Sequence, residues 1–237
     1  MVTTSLPTER PRSRGRAAGF WWLALTAVAI AAFAPLPYLS TSLRGLAAQD
    51  DAFAASYAAL PGWAQAAFYV HIVCGGIALA LSPLQLAARI RTRLPRLHRV
   101  NGRIVALSIL PAGLGGLVLA PSNQAGLIGT AGFGLLAVLW IGFVGAAVRA
   151  ARRRHFAAHR RWAVRTFAMT YAAVTLRLWL GVLTPVLAGF GMDPEAAFEL
   201  AYHLVPFLCW VPNLLLAEWL LRRPTVPVVS RTGGAGA

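Results

Sequence analysis

Three polar side chains that could bind a ligand or take part in electron transfer lie within long apolar runs of this sequence: His71, Arg177 and His203. If each run is a helix with a rise of about 1.5 Å per residue, His71 lies roughly 12 Å, His203 roughly 10 Å and Arg177 about 15 Å from the outer ends of their helices. Ionisable groups at that depth in a bilayer cost free energy, so they mark a candidate site. We therefore expect them to form a polar group in the outer half of the membrane.

Arg177 is the most demanding member of this group because its guanidinium stays charged. Exposure of that charge to lipid costs about 2.5–3.5 kcal/mol even on the mildest scale. Glu199 lies one turn before His203 on the same helix face, and it could pair with His203 or with Arg177. Two interpretations stay open. Arg177 and Glu199 bind a ligand, or they form an ion pair that fixes helix packing.

Two histidines at similar depth on different helices are also the pattern of a transmembrane haem b. His71 and His203 would then be the axial ligands. Gly75 lies one turn after His71 and would leave room for the flat macrocycle or for a neighbouring helix. In this interpretation Arg177 would hold a haem propionate or a quinone oxygen. The alternative is a polar ligand pocket without haem.

A second histidine pair, His98 and His159, falls at the inner ends of two helices. Together with the outer pair it would give an electron path across the membrane. The arginines beside both histidines favour another interpretation, in which they bind lipid phosphate or cap helix ends. His155 and His159 have the i, i+4 spacing of zinc ligands. However, five arginines between residues 152 and 161 would repel a dication, so we predict no metal site.

Three further polar residues lie in the inner halves of the apolar runs. Gln85 and Asn213 are predicted to form hydrogen bonds between helices. Glu218 is predicted to pair with Arg222, four residues later on the same helix.

Six apolar runs of about 20 residues must position these side chains, and each is long enough to cross a bilayer. They cover approximately residues 20–39, 63–88, 101–120, 125–148, 159–188 and 194–221. This predicts an all-α integral membrane bundle of six transmembrane helices over 19–222, flanked by a disordered basic tail, 1–18, and a disordered tail, 223–237. A short amphipathic segment at 53–60 is expected on the membrane surface. Asp193 is expected to cap the sixth helix, with Pro194 as its first residue.

The arginines alternate between loops in a way that predicts the orientation of the bundle. Segments 10–16, 89–103, 149–165 and 222–223 carry almost all of them, whereas the other loops hold Arg44 and most of the acids. The positive-inside rule places both termini in the cytoplasm, as expected for a bacterial inner-membrane protein. The net charge of +15 is divided among juxtamembrane clusters. It therefore favours the lipid bilayer and its anionic headgroups as partners over nucleic acid.

Five motifs in combination resemble one known family: His71-x-x-x-Gly75, Ser82-Pro83-x-Gln85, His98-Arg99-x-x-Gly102-Arg103, His159-Arg160-x-Trp162-x-x-Arg165 and Thr175-x-Arg177. They are similar to the predicted bacterial multi-pass membrane proteins grouped as domain of unknown function 2306, in which a glycine stands at the position of Ser82. The resemblance covers about residues 60–220. It implies a multi-pass bundle and no particular reaction. A looser likeness is to six-helix cytochrome b561-type proteins, whose histidine pairs join helices of a four-helix core, whereas His203 lies on the sixth helix.

These observations leave two hypotheses for function. The first is a haem-b-binding redox protein with His71 and His203 as ligands and a quinone as possible partner. The second is a non-enzymatic transporter, sensor or accessory subunit with a pocket formed by His71, Arg177 and either Glu199 or His203. Whether the protein is an enzyme is left open.

Overall fold

The computed structural model describes residues 14–49 and 51–223, and within them six helical segments are long and apolar enough to cross a membrane. We name these segments TM1 to TM6. Their bounds are Ala17–Ser40, Gly62–Leu86, Pro95–Ser122, Gly126–Arg152, Phe156–Gly189 and Pro194–Arg222. The described residues contain helices and no strands, which confirms the predicted all-α bundle. We call the end that carries segments 89–103 and 149–165 the inner end, and the opposite end the outer end.

Twelve α-helices make up these segments and the connections between them. They are α1 Arg14–Phe33, α2 Leu36–Ser40, α3 Leu43–Ala47, α4 Ala52–Ala58, α5 Gly62–Leu86, α6 Ala88–Arg93, α7 Pro95–Leu119, α8 Gly126–Arg152, α9 Phe156–Thr170, α10 Ala172–Gly189, α11 Pro194–Leu208 and α12 Val211–Arg222. A short 3-10 helix, Ala120–Ser122, follows α7. The predicted tails lie outside the described residues except for 14–18, which belong to α1, and residue 223.

Consecutive transmembrane helices pack on one another, and the contact between TM2 and TM3 is the most extensive. TM2 also meets the first half of TM5, and TM6 meets TM4 and both halves of TM5. The main core lies where these helices converge, around Ile109, Trp140, Met169 and Val205. The Trp140 indole N–H donates to Thr170 Oγ1 at 2.9 Å, which satisfies the polar atom of a buried ring.

Two transmembrane segments are interrupted, and the interruptions face each other. TM5 breaks at Tyr171 between α9 and α10, and TM6 breaks at Cys209 and Trp210, before Pro212. A proline at that position cannot donate the helical hydrogen bond to the carbonyl four residues earlier. The Thr175 hydroxyl and the Asn213 amide both donate to the carbonyl of Cys209. Side chains therefore satisfy the Cys209 carbonyl at the break in TM6, where the bilayer offers no water.

Asn213 also joins TM6 to TM5, through bonds of 3.0 Å to Thr175 Oγ1 and 3.3 Å to Ala168 O. The Gln85 amide donates to His98 O at 3.1 Å and so joins TM2 to TM3. Both predicted interhelical hydrogen bonds are confirmed. The Asp193 cap is confirmed as well, since its carboxylate accepts from the backbone N–H groups of Glu195 and Ala196.

The prediction for Glu218 is wrong. Its carboxylate forms a two-pronged ion pair with Arg165 of TM5, with Nη2 and Oε2 3.0 Å apart, rather than pairing with Arg222. The Arg165 guanidinium also lies over the Trp162 ring, 4.6 Å from its centre. The planar guanidinium of Arg165 forms two parallel hydrogen bonds with the carboxylate of Glu218. A flexible pair four residues apart on one helix does not form this two-bond geometry as readily. The pair joins the inner ends of TM5 and TM6.

TM3 begins at Pro95, six residues before the predicted start, so His98 and Arg99 lie in its first turn. Proline is well tolerated at the first helical position because its missing N–H would have no partner there. The predicted surface segment at 53–60 is α4, which begins at Ala52 with Asp51 as its cap. It packs against the outer end of the bundle, with Ala54 and Tyr57 buried.

The close contact of TM4 with TM6 depends on Gly132. A methyl group placed there would lie 2.6 Å from Pro206 Cβ and 2.8 Å from the Pro206 carbonyl. We expect Gly132→Ala to lower the free energy of unfolding by about 1–3 kcal/mol through overpacking. In a thermal melt in detergent this corresponds to about 5 °C. Gly142→Ala is the matched control, since nothing lies within 4 Å of that position. Equal melting temperatures for the two variants would contradict this account of the TM4–TM6 contact.

Candidate functional site

His71 lies at the centre of the inward face of TM2, in line with the buried residues Phe68, Ala78 and Ser82. Its Nδ1 is 2.8 Å from the carbonyl oxygen of Ala112 on TM3. A carbonyl can only accept, so Nδ1 carries the proton and Nε2 of the neutral ring carries the lone pair. The hydrogen bond thus fixes both the tautomer and the direction of the ring. His71 therefore offers an acceptor, or a metal-binding nitrogen, inside the membrane.

The small residues around His71 allow TM2 and TM3 to approach closely. A methyl group at Gly116 would lie 3.0 Å from the His71 ring, and one at Gly115 would lie 2.8 Å from Ala67 O. Gly75 faces Ala112 across the same contact, where a methyl group would stand 4.0 Å from the Ala112 Cβ. The room that these glycines create is taken by the neighbouring helix and by the imidazole itself. In this structure the glycines serve the contact between TM2 and TM3.

Arg177 on α10 lies close enough to His71 and to Tyr38 of α2 to act on both electrostatically. Its Nη1 donates to the carbonyl of Ala173 at 2.9 Å. Arg177 is exposed, as is its neighbour Leu178, so it lies at the surface of the bundle near His71 rather than in the core. Across residues 14–49 and 51–223, the ion pair found is the one between Arg165 and Glu218. Arg177 and Glu199 thus do not form the ion pair considered above. The guanidinium keeps free donors at membrane depth.

His203 and Glu199 lie on the less buried face of α11, where His203 is half-buried and Glu199 is exposed. His203 shares that face with Leu200 and Phe207, which are 41% and 38% exposed, whereas Ala201 and Val205 form the buried face. Its Nδ1 bonds to the backbone carbonyl of Glu199 at 2.8 Å, not to the carboxylate. Of the expected outer group, the structure brings His71 and Arg177 within electrostatic reach of each other. Among the described residues, no hydrogen bond or ion pair joins the side chains of His203 and Glu199 to these two.

Aromatic side chains that the sequence analysis did not connect with the site cover its outer side. We call this set the aromatic cap: Tyr38, Phe53, Tyr57 and Phe68. The ring centres of neighbouring pairs lie 4.8–5.1 Å apart for Phe53–Tyr57, Tyr57–Phe68 and Tyr38–Phe68. Phe68 is one turn from His71 on TM2. Burial raises the pKa of the Tyr57 phenol, with a smaller contribution from Tyr38, so this hydroxyl stays neutral.

The aromatic cap joins TM1, α4 and TM2, which are separate in sequence. Only the clustering of Tyr and Phe between residues 38 and 69 signals it in the sequence. Nothing in the pattern of α2 shows that Tyr38 lies within electrostatic reach of Arg177, because that proximity depends on how TM1 docks.

The inner histidines are close enough for His159 to act electrostatically on His98. His159 Nδ1 lies 2.9 Å from the carbonyl oxygen of Ala147 on TM4, so Nδ1 carries a proton and Nε2 is the nitrogen that could bind a metal when the ring is neutral. His98 Nδ1 is buried and has no hydrogen-bond partner in the described part of the chain. Buried polar atoms rarely lack a hydrogen-bond partner, so the unpartnered Nδ1 of His98 is unusual. No three His, Cys, Asp or Glu side chains come together as metal ligands would within the described ranges.

Comparison with known proteins identifies the family. The sequence profile described as "Predicted membrane protein (DUF2306)" matches residues 68–221, which is more than half of the chain and includes His71, His98, His159 and Arg177. No curated protein and no solved structure matches, so the looser likeness to cytochrome b561-type proteins stays a prediction. The profile agrees with the six membrane-spanning helices. The chain belongs to this family of predicted multi-pass membrane proteins, DUF2306.

Proposed function

We propose that this protein binds a quinol in the outer half of the membrane, between Arg177, His71 and the aromatic cap. The observation that carries the proposal is the guanidinium of Arg177, which lies at membrane depth beside His71 and without a carboxylate partner in the described residues. A charge in that position is expensive unless a ligand or the protein meets its donors.

The hydrogen-bonding character of the two groups selects the ligand. Arg177 can only donate, and Nε2 of His71 can only accept while Nδ1 bonds to Ala112 O. A carboxylate would satisfy Arg177 but would turn an acceptor oxygen toward the His71 lone pair. A quinol satisfies both, because one oxygen accepts from Arg177 and a hydroxyl donates to His71.

The surroundings suit a flat apolar ring. Tyr38 and Phe68 of the aromatic cap lie edge to face, with ring centres 5.1 Å apart, beside the polar pair. Aromatic rings pack favourably against other flat π-systems in offset or edge-to-face arrangements. Ligand pockets commonly combine such apolar walls with a few polar groups that fix orientation. Quinols dissolve in the bilayer, so the ligand would reach this depth from the lipid.

Binding of decyl benzoquinol to the purified protein tests this proposal. A ligand at one hundred times its dissociation constant adds about 2.7 kcal/mol of stability, so the melting temperature of the wild type should rise by several degrees. Arg177→Gln should lose most of that rise because the donor to the quinol oxygen is gone.

Arg44→Gln is the matched control, since Arg44 is an exposed arginine of α3 at the same end of the bundle. It should keep the full rise. If the quinol stabilises neither wild type nor control, the proposal is wrong. If only decanoate stabilises the protein, the site recognises a carboxylate instead of a quinol.

A second candidate function is one-electron transfer through haem b at the inner histidines, His98 and His159. It is supported by their proximity, by the free Nε2 of His159 and by the unpartnered Nδ1 of His98. Arg99, Arg103 and Arg160 lie beside these histidines in sequence and could neutralise propionates. Haem b would supply reversible one-electron redox chemistry, and the histidines would supply neutral axial nitrogens. The outer pair has less support because His203 lies on the less buried face of α11 and the glycines of TM3 pack closely against His71.

Absorption spectra of the protein from cells supplied with haem precursor, oxidised and then dithionite-reduced, test this candidate. We expect bands that sharpen on reduction and are lost in His98→Ala and His159→Ala, since each removes an axial ligand. His203→Ala is the control and should keep them. A flat spectrum would rule out haem. Bands that are lost in His71→Ala and His203→Ala instead would show that the outer histidine pair holds the haem.

A further inference from the structure

A groove of about 360 Å³ lies between TM3 and TM4 toward the inner end, away from the site around Arg177. Its walls are apolar for most of their length and basic at one end. The lining residues are Ala106 and Leu110 of TM3 and Val144, Gly145, Val148, Arg149, Arg152 and Arg153 on or next to TM4. A volume of roughly 300–1,000 Å³ is typical of small-molecule sites.

The apolar part of the groove opens toward the bilayer. Leu110 is 40% exposed, and Gly145 faces open space, with no atom within 4 Å of where its Cβ would stand. A side chain at residue 145 would occupy the groove, so the glycine is what leaves it open. An apolar channel along two helices and accessible from lipid has the shape and chemistry of an acyl-chain site.

The basic end carries three exposed guanidinium groups, on Arg149, Arg152 and Arg153. None of them forms an ion pair within residues 14–49 and 51–223. The C-terminus of α8 carries about half a negative charge, which disfavours an anion there. Three full positive charges outweigh it. Arginine binds phosphate through parallel N–H donors, so this cluster suits a phosphate group.

We propose that this groove is a binding site for one anionic phospholipid, with an acyl chain along Gly145 and Leu110 and the phosphate held by Arg149, Arg152 and Arg153. Basic pockets between transmembrane helices at the cytoplasmic side bind acidic lipid headgroups in general. Charge alone would attract free phosphate equally, and apolar walls alone would accept any lipid. The combination selects an acidic phospholipid.

Native mass spectrometry of the detergent-solubilised protein, titrated with phosphatidylglycerol or phosphatidylcholine, tests the proposal. We expect one phosphatidylglycerol to be retained at concentrations where phosphatidylcholine is not. Gly145→Leu should abolish retention by filling the groove without a clash. Arg149→Gln/Arg152→Gln/Arg153→Gln should weaken it on the order of a hundredfold, from about 1 kcal/mol for each arginine.

Two controls separate the site from general effects of charge and folding. Gly181→Leu adds the same side chain at another open, exposed position, on TM5. Arg89→Gln/Arg93→Gln/Arg96→Gln removes the same charge from exposed arginines outside the groove. Both should retain phosphatidylglycerol.

Three results would overturn the proposal. They are equal retention of the two lipids, retention that survives Gly145→Leu, and loss that is as large in the control triple variant as in the groove triple variant. Displacement of phosphatidylglycerol by inorganic phosphate at equal concentration would also overturn it, because the arginines would then be an anion site that does not need the acyl chain.

Discussion

The bilayer interior offers no water to backbone carbonyls that lack a helical partner, and the bundle is arranged around that constraint. The breaks in TM5 and TM6 meet, so that Thr175 and Asn213 satisfy the carbonyl of Cys209 and join the two helices. Two histidines also bond to backbone carbonyls. Nδ1 of His71 bonds to a carbonyl of TM3, and Nδ1 of His159 bonds to a carbonyl of TM4. Satisfying backbone groups therefore also sets the tautomers of the candidate site.

Close helix contacts made by glycine determine where those histidines can point. Gly115 and Gly116 bring TM3 against TM2 and hold the His71 ring, while Gly132 brings TM4 against TM6. Not every polar group is satisfied in this way. The Arg177 guanidinium has one bond to Ala173 O and no carboxylate partner among the described residues, and the buried Nδ1 of His98 has no hydrogen-bond partner there. These two groups are the basis of the two functions proposed above.

The sequence predicted the quantities that depend on position along a helix. The six spans, the Asp193 cap and the interhelical bonds of Gln85 and Asn213 follow from hydrophobic length and residue type. Contacts that depend on how each helix rotates and docks did not follow. Depth alone placed His203 with His71, whereas in the structure His203 lies half-buried on the less buried face of α11 and bonds to Glu199 O. The pairing of Glu218 with Arg165 and the approach of Tyr38 to Arg177 join residues that are distant in sequence, and no local pattern encodes them.

The most direct test of the central claim is the melting temperature of the ligand-free Arg177→Gln variant beside the wild type in one detergent. If Arg177 serves a ligand rather than the fold, the variant loses a costly charge and no partner, so it should melt no lower than the wild type. Breaking a buried ion pair costs about 3–5 kcal/mol. For a chain of this size that corresponds to a fall of about 10 °C. A fall of that size would contradict the account and show that Arg177 stabilises the bundle itself.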